Sequence, residues 1–209
     1  MTGIFGGTFD PIHFGHLRTA LDVMQGVGLD ELRFIPLYWP VHRAAPVATA
    51  RQRLRMVKAA LTGQTGFRVD ERELQRQGES YTVDTLVSLR AELGDSAICL
   101  LVGGDAFCQF LSWHRPREIL DLAHLIVMQR PGHGALTDSA LLELLAERQT
   151  SDKQLLRTRP AGHIHFQPVT QLEISATQIR DLIALGQSPR YLLPDAVLHI
   201  IQDQNLYSD

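Results

Sequence analysis

The sequence predicts an α/β protein: an open, doubly wound, mostly parallel sheet with helices on both faces and a C-terminal helical segment at about 175–209. Two observations carry the prediction. Short apolar runs alternate with amphipathic segments along the whole chain, the pattern of parallel strands joined by right-handed crossovers. The runs, such as Ile98-Cys99-Leu100-Leu101-Val102 and Leu125-Ile126-Val127-Met128, have the length of buried strands.

Residues 3–6 read as the first strand. A helix follows over 16–25, with Leu17, Leu21 and Met24 on one face. A second strand at 33–36 leads into a proline-rich loop through Pro40, His42, Arg43 and Pro46. The next helix covers 51–61, with Leu54, Val57 and Leu61 as its stripe, and a short strand follows at 67–70. Leu86, Leu89 and Leu93 mark a helix over 82–93, ahead of the strongest strand candidate at 97–102. A short helix near 117–121 precedes a strand at 124–129. Residues 136–148 are expected to be helical, with a polar stretch around 150–153 and a late strand at 164–168. A helix over 177–185 stops at Gly186, and Pro194 opens a last helix through Val197, Leu198 and Ile201. With no internal repeat or low-complexity linker, one domain over 1–209 is the simplest account.

Apolar residues are 44% and charged residues 21% of the chain, which excludes an intrinsically disordered protein. A formal charge of −3 gives no global attraction for nucleic acid or anionic lipid, although a pocket for one small anion needs only a few cations. Cys99 and Cys108 form no Cys-x-x-Cys pair, so a cysteine-rich zinc centre is unsupported and the thiols read as reduced. No apolar run approaches the roughly 20 residues of a membrane span. Met1 is followed almost at once by Ile4-Phe5-Gly6-Gly7, without the regions of a secretory signal, and a cytoplasmic location is expected.

In an open parallel sheet, ligands bind beyond the C-terminal strand ends. Four groups of residues stand there. The first is Gly6-Gly7-Thr8-Phe9-Asp10-Pro11-Ile12-His13-Phe14-Gly15-His16, between the first strand and first helix. Paired glycines let the backbone turn tightly and approach a phosphate. His13 and His16, three apart at the expected helix start, share one side of its first turn. The helix dipole contributes only about 0.3–2 kcal/mol, so two imidazole donors on one phosphate matter more. The string is not Gly-x-Gly-x-x-Gly, which disfavours a dehydrogenase, and it lacks the His-Glu-x-x-His of a helical metal site.

The second group is Ile174-Ser175-Ala176-Thr177-Gln178-Ile179-Arg180. Ser175 or Thr177 can cap the following helix, and Arg180 offers a forked donor for the same anion. The third is Gly103-Gly104-Asp105, placed after a strand to read a base or ribose; Asp105 can equally cap a helix. The fourth joins Thr82, Thr85 and Trp113, where tryptophan suits either packing or a ligand's flat face.

With these motifs in view the chain resembles the bacterial nicotinate-nucleotide adenylyltransferases, within the nucleotidyltransferase superfamily that shares His-x-Gly-His. The likeness also rests on Pro40-Val41-His42-Arg43, Asp70-Glu71-Arg72-Glu73-Leu74, Ser80-Tyr81-Thr82, Thr85-Leu86, His124-Leu125-Ile126-Val127 and Arg130-Pro131-Gly132. It implies a Rossmann-like fold and adenylyl transfer from ATP to nicotinate mononucleotide. His13, His16 and Arg180 would be catalytic. ATP would lie on Gly6, Gly7, Thr8, Phe9, Gly103, Gly104, Asp105, Ser175, Thr177 and Arg180. Nicotinate mononucleotide would meet His42, Arg43, Thr82, Thr85, Trp113, His114 and Arg130. Trp113 would stack on the pyridine ring, and backbone N–H groups near Thr85 and His114 would receive its carboxylate. Mg²⁺ would arrive on the ATP phosphates, with no metal site of the protein's own. Neither nucleic acid nor membrane is an expected partner, and nothing indicates the oligomeric state.

Some positions depart from the family pattern. Leu37-Tyr38 stands where polar residues are expected, Val41 replaces a proline, and Ala176 replaces a serine. His163 and His165 match no family motif and read as structural. The competing readings are a sister adenylyltransferase for nicotinamide mononucleotide or a phosphopantetheine, a catalytically idle nucleotide sensor, and a class I aminoacyl-tRNA synthetase-like protein. Acidic balance, small size and the lack of a lysine-rich signature loop weigh against the last.

Overall fold

A computed structural model describes residues 1–40, 45–129 and 137–208. The chain opens with β1 (Thr2–Gly7), α1 (Phe14–Val27) and β2 (Glu31–Pro36). Next come α2 (Ala50–Leu61), β3 (Phe67–Val69), α3 (Arg72–Arg76) and α4 (Thr82–Leu93). β4 (Ile98–Gly103) is followed by α5 (Gly104–Phe107), a 3₁₀ turn at Phe110–Ser112 and α6 (Pro116–Leu122). β5 (His124–Gln129), α7 (Ser139–Arg148), α8 (Lys153–Thr158) and β6 (Ile164–Pro168) lead to α9 (Ala176–Ala184) and α10 (Asp195–Asp203). Among the described residues, no helix is long and apolar enough to cross a membrane.

The strands form one sheet in the order β3-β2-β1-β4-β5-β6, every pairing parallel. This is the Rossmann-like, doubly wound order, and the strand sequence reverses between β1 and β4. β1 pairs with β2 from Thr2↔Glu31 to Gly7↔Pro36. It pairs with β4 only from Thr2↔Ile98 to Ile4↔Leu100. Both strands then run on, to Gly7 and Gly103, without pairing to each other. A crevice opens where they part.

Strand side chains alternate between two buried clusters, one on each sheet face. Phe5, Phe34, Cys99, Leu101, Ile126 and Met128 face α1, α2 and α10. Ile4, Ile35, Leu100, Val102, Leu125 and Val127 face α4, α6 and α7. Coverage on both faces explains the unbroken apolar runs of β4 and β5. Val197, Leu198, Ile200 and Ile201 of α10 belong to the same cluster as Met56 and Val57 of α2.

Two helix faces differ from the sequence reading. α1 buries Ala20, Val23 and Val27, while Leu17 and Met24 flank that face and pack against the core only in part. Small and β-branched residues let the helix lie close on the sheet. α2 buries Met56, Val57 and Leu61 together with Arg53, an arginine on an otherwise apolar stripe. The short α3, α5 and α8 were not expected, since five, four and six residues leave little periodicity to read. α8 begins in the polar stretch because Asp152 caps it, accepting from the Gln154 N–H at 2.8 Å. A Thr49–Gln52 capping box starts α2.

Arg53 is 1% exposed, and all three nitrogens of its guanidinium donate hydrogen bonds. It donates to the carbonyls of Thr8 (2.7 Å), Leu37 (2.7 Å), Tyr38 (3.3 Å) and Ala48 (3.2 Å). One buried cation thereby ties the loop after β1, the loop after β2 and the lead-in to α2. Arg53→Met should lower stability by about 3 kcal/mol, because several buried carbonyls lose their donor. A urea midpoint within error of wild type would show that water replaces those bonds.

His124 sits fully buried at the start of β5. Its Nδ1 accepts from the His163 N–H at 3.1 Å and its Nε2 faces the Arg159 carbonyl at 2.9 Å. That pairing requires the neutral ring, and burial holds its pKa down from 6.5 to about 4. His163, whose ring stacks on His124, and His165, bonded to the Thr150 carbonyl, serve the same strand ends. Below pH 6.5 the unfolded chain gains a proton at His124 that the folded chain gains only near pH 4. Stability should therefore decline as pH falls through that window, with a shallower decline in His124→Gln. Urea titrations at several pH values give the slope, and identical slopes would remove His124 as the cause.

Candidate active site

The loop leaving β1 carries its glycines for two different reasons. A Cβ on Gly7 would stand 2.8 Å from the Phe9 ring, and one on Gly15 would stand 2.9 Å from the His13 ring. At both positions the chain's own packing excludes a side chain. Gly6 and Gly103 differ: a Cβ on Gly6 would meet only Leu37 at 4.0 Å, and one on Gly103 would meet nothing within that range. Gly6 is the penultimate residue of β1 and Gly103 the last of β4, and the space beside each is open.

Phe9 adopts φ 49° and buries its ring against Phe5 and Phe34. This turn directs the chain through a cis Asp10–Pro11 bond to His13, the residue preceding α1. The His13 and His16 rings stack with centroids 3.8 Å apart. His16 also meets Phe9 edge-on at 5.2 Å and remains partly exposed, while His13 is 5% exposed. Of the pair, His13 is buried and His16 keeps part of its surface in solvent. Burial pushes the His13 pKa down from 6.5 to about 4, so the free ring is neutral at physiological pH. Its Nδ1 and the Thr8 hydroxyl are buried with no hydrogen-bond partner among the described residues. Such orphaned groups are costly and mark a place prepared for something polar.

The 174–180 motif arrives beside them. The Ile174 carbonyl lies 3.3 Å from where a Gly15 Cβ would be, which places the motif against the first turn of α1. Ser175 caps α9, accepting from the Gln178 N–H at 3.1 Å. Thr177 accepts from Arg180 Nη2 at 3.3 Å, and Arg180 Nη1 donates to the Asp10 carbonyl at 2.7 Å. Tertiary structure therefore brings His13, His16, Thr177 and Arg180 to one corner, at the sheet's reversal point.

Across the crevice, Gly103 precedes α5, and Asp105 lies exposed in its first turn rather than capping it. Thr82 opens α4. The preceding ring, Tyr81, packs on His114 with centroids 4.5 Å apart, joining the Thr82 region to the Trp113-His114 segment. Trp113 packs edge-on to Phe110 at 5.7 Å and remains partly exposed. The Thr85 side chain is committed elsewhere. Its hydroxyl donates to the buried Glu73 carboxylate at 2.7 Å, and its N–H bonds the Tyr81 carbonyl at 3.3 Å. His42, Arg43 and Arg130 lie outside the described residues.

Sequence reading gave no role to Asp10, Arg53, Glu73 or Trp39. The first three are buried polar groups near the crevice, and Trp39 is half exposed where the loop after β2 bridges to Glu79. Only Arg53 left a signal, as the polar member of the stripe with Met56, Val57 and Leu61. Leu37-Tyr38 needs no polar side chain: backbone groups do the work, with the Tyr38 and Trp39 N–H donating to Ser80 Oγ at 3.1 and 3.3 Å. Among the described residues, no cluster of three or more His, Cys, Asp or Glu is gathered that could hold a metal ion.

Residues 4–182 match the family model described as cytidylyltransferase-like. A Methylococcus capsulatus protein named "Probable nicotinate-nucleotide adenylyltransferase" is 49% identical over 209 residues, covering all of both chains. A relative of the same name from Aeromonas salmonicida is 48% identical, over 98% of this chain and 96% of its own. In fold, the chain is similar to the Plasmodium falciparum nicotinic acid mononucleotide adenylyltransferase complexed with NaAD. The TM-score is 0.74 at 15% identity, covering 99% of this chain and 96% of that one. With its histidine pair at the sheet's reversal point and relatives near half identity along its full length, the chain belongs to the cytidylyltransferase-like nucleotidyltransferases, in their nicotinate-nucleotide adenylyltransferase branch.

Proposed function

We propose that this chain transfers the adenylyl group of ATP to the 5′-phosphate of nicotinate mononucleotide, forming deamido-NAD and pyrophosphate in NAD biosynthesis. The observation that carries the reading is the stacked His13–His16 pair at the start of α1, beside the parting ends of β1 and β4. The names of its near-half-identical relatives support the acceptor.

A phosphate oxygen of the mononucleotide attacks the α-phosphorus of ATP, and the bond from that phosphorus to the bridging oxygen of pyrophosphate breaks. The attacking oxygen is already anionic, so no protein nucleophile or general base is required. Catalysis rests on alignment and on charge stabilisation at the phosphates. Alignment supplies roughly 7–11 kcal/mol and one well-placed donor about 3 kcal/mol. Gly6, Gly7 and Thr8 line the approach of the triphosphate. His13, His16 and Arg180 meet its charge, and Ser175 and Thr177 hold the start of α9 beside it. Gly103, Gly104 and Asp105 border the adenosine side. Thr82, Trp113 and His114, with His42, Arg43 and Arg130, are assigned to the mononucleotide; Thr85, buried with its hydroxyl and N–H both bonded within the protein, backs them rather than receiving the carboxylate. Mg²⁺ enters as part of the substrate, carried by the triphosphate. We place the reaction in the cytoplasm.

Pyrophosphate release is the direct test, with MgATP and, separately, nicotinate mononucleotide, nicotinamide mononucleotide and phosphopantetheine. Fastest release is expected with the nicotinate. Faster release with either other acceptor would reassign the substrate, and ATP binding without release from any would indicate a sensor.

His16→Ala should lower kcat by about 10²–10³ with the fold intact, since it removes a donor to developing charge. An unchanged kcat would take His16 out of the transition state. His13 should titrate near pH 4 in the free protein. Bound triphosphate should raise that value, because adjacent negative charge favours the imidazolium. NMR of the ring nitrogens reads both, and no rise on adding MgATP would place the phosphates away from His13.

A further inference from the structure

We propose that Tyr207 is a positioning residue for the phosphate loop, its hydroxyl fixing the Asp10 carboxylate and through it the turn that presents the histidine pair. The inference rests on the adenylyl-transfer reading above.

Asp10, three residues before His13, is where distant segments meet. Its Oδ1 accepts from Tyr207 at 2.7 Å and from the Ala48 N–H at 3.2 Å, and its Oδ2 accepts from the Val47 N–H at 2.8 Å. The Asp10 main-chain carbonyl is the acceptor for Arg180. The Asp10 side chain is therefore the link between the loop carrying the histidines, the lead-in to α2 and the segment after α10.

Tyr207 is built for the contact. Its ring is buried in the cluster that contains Val197, Leu198 and Ile201 of α10, so packing places the hydroxyl. The chain reaches that position through left-handed backbone at Asn205 (φ 49°) and Tyr207 itself (φ 66°). Asparagine adopts that conformation readily, but a bulky tyrosine holds it only where its surroundings over-determine it. Burial and the neighbouring carboxylate push the phenol pKa well up, which keeps the hydroxyl a donor at all working pH values. Removing only the oxygen leaves the ring in the core but leaves Asp10 Oδ1 with the longer Ala48 bond. The turn between Phe9 and His13 then gains freedom beside the reacting phosphates.

The test compares Tyr207→Phe with wild type. Its kcat should fall on the order of tenfold with the acceptor KM unchanged, as misplacement of catalytic groups predicts. Hydrogen exchange at the Val47 and Ala48 amides should quicken, while the amides of β4 and β5 keep wild-type protection. In an Asp10→Asn background, adding Tyr207→Phe should cost clearly less than in wild type. Full kcat with unaltered Val47 and Ala48 exchange would overturn the proposal. So would exchange rising equally in every strand, which would make the hydroxyl a general stability contact. If wild type itself released no pyrophosphate, the reaction would be wrong, and local exchange together with MgATP affinity would still decide the role of Tyr207.

Discussion

The site depends on one constraint: β1 and β4 are neighbours in the sheet but stay paired only as far as Ile4 and Leu100. Crossovers from β1 lead toward β2 on one side, while β4 begins the march to the other edge. No connection has to pass over the gap at their C-terminal ends. Two helix starts and two glycine-ended strands consequently face the same space, and Gly6 and Gly103 leave it open.

A loop that must bring two imidazoles to that gap cannot rely on apolar packing alone. Phe9 anchors it in the core, but its carbonyls need donors. Arg53 supplies one to Thr8 and Arg180 supplies one to Asp10. The Asp10 carboxylate in turn collects donors from segments far away in sequence. Buried ionic groups of this kind contribute little net stability and are dear to break. Their effect is definition: leaving the conformation seen here would strand several polar groups at once.

The site sets a guanidinium, Arg180, near a desolvated imidazole, His13. A neutral His13, held so by desolvation, lies against the His16 ring with centroids 3.8 Å apart. The chain's full-length relatives place it in the nicotinate-nucleotide adenylyltransferase branch.

Much of the fold was legible in the sequence. The strands at 124–129 and 164–168 and the helix at 82–93 emerge with the predicted bounds, because long apolar runs and helical spacing are local signals. His13, Gly15 and His16 were equally visible, since their spacing is set within one helical turn. Short α3, α5 and α8 were not, having too few residues to show a period. Nor could the sequence foresee that Arg53, Asp10 and Tyr207 converge on the turn before α1. Tyr207 and Asp10 are 197 positions apart, and their bond exists only because packing of α10 on α2 carries one to the other. Composition and periodicity determined which segments become strands and helices. Tertiary structure decided which polar groups share a buried space, because hydrogen-bond partners are chosen by proximity after the core has closed.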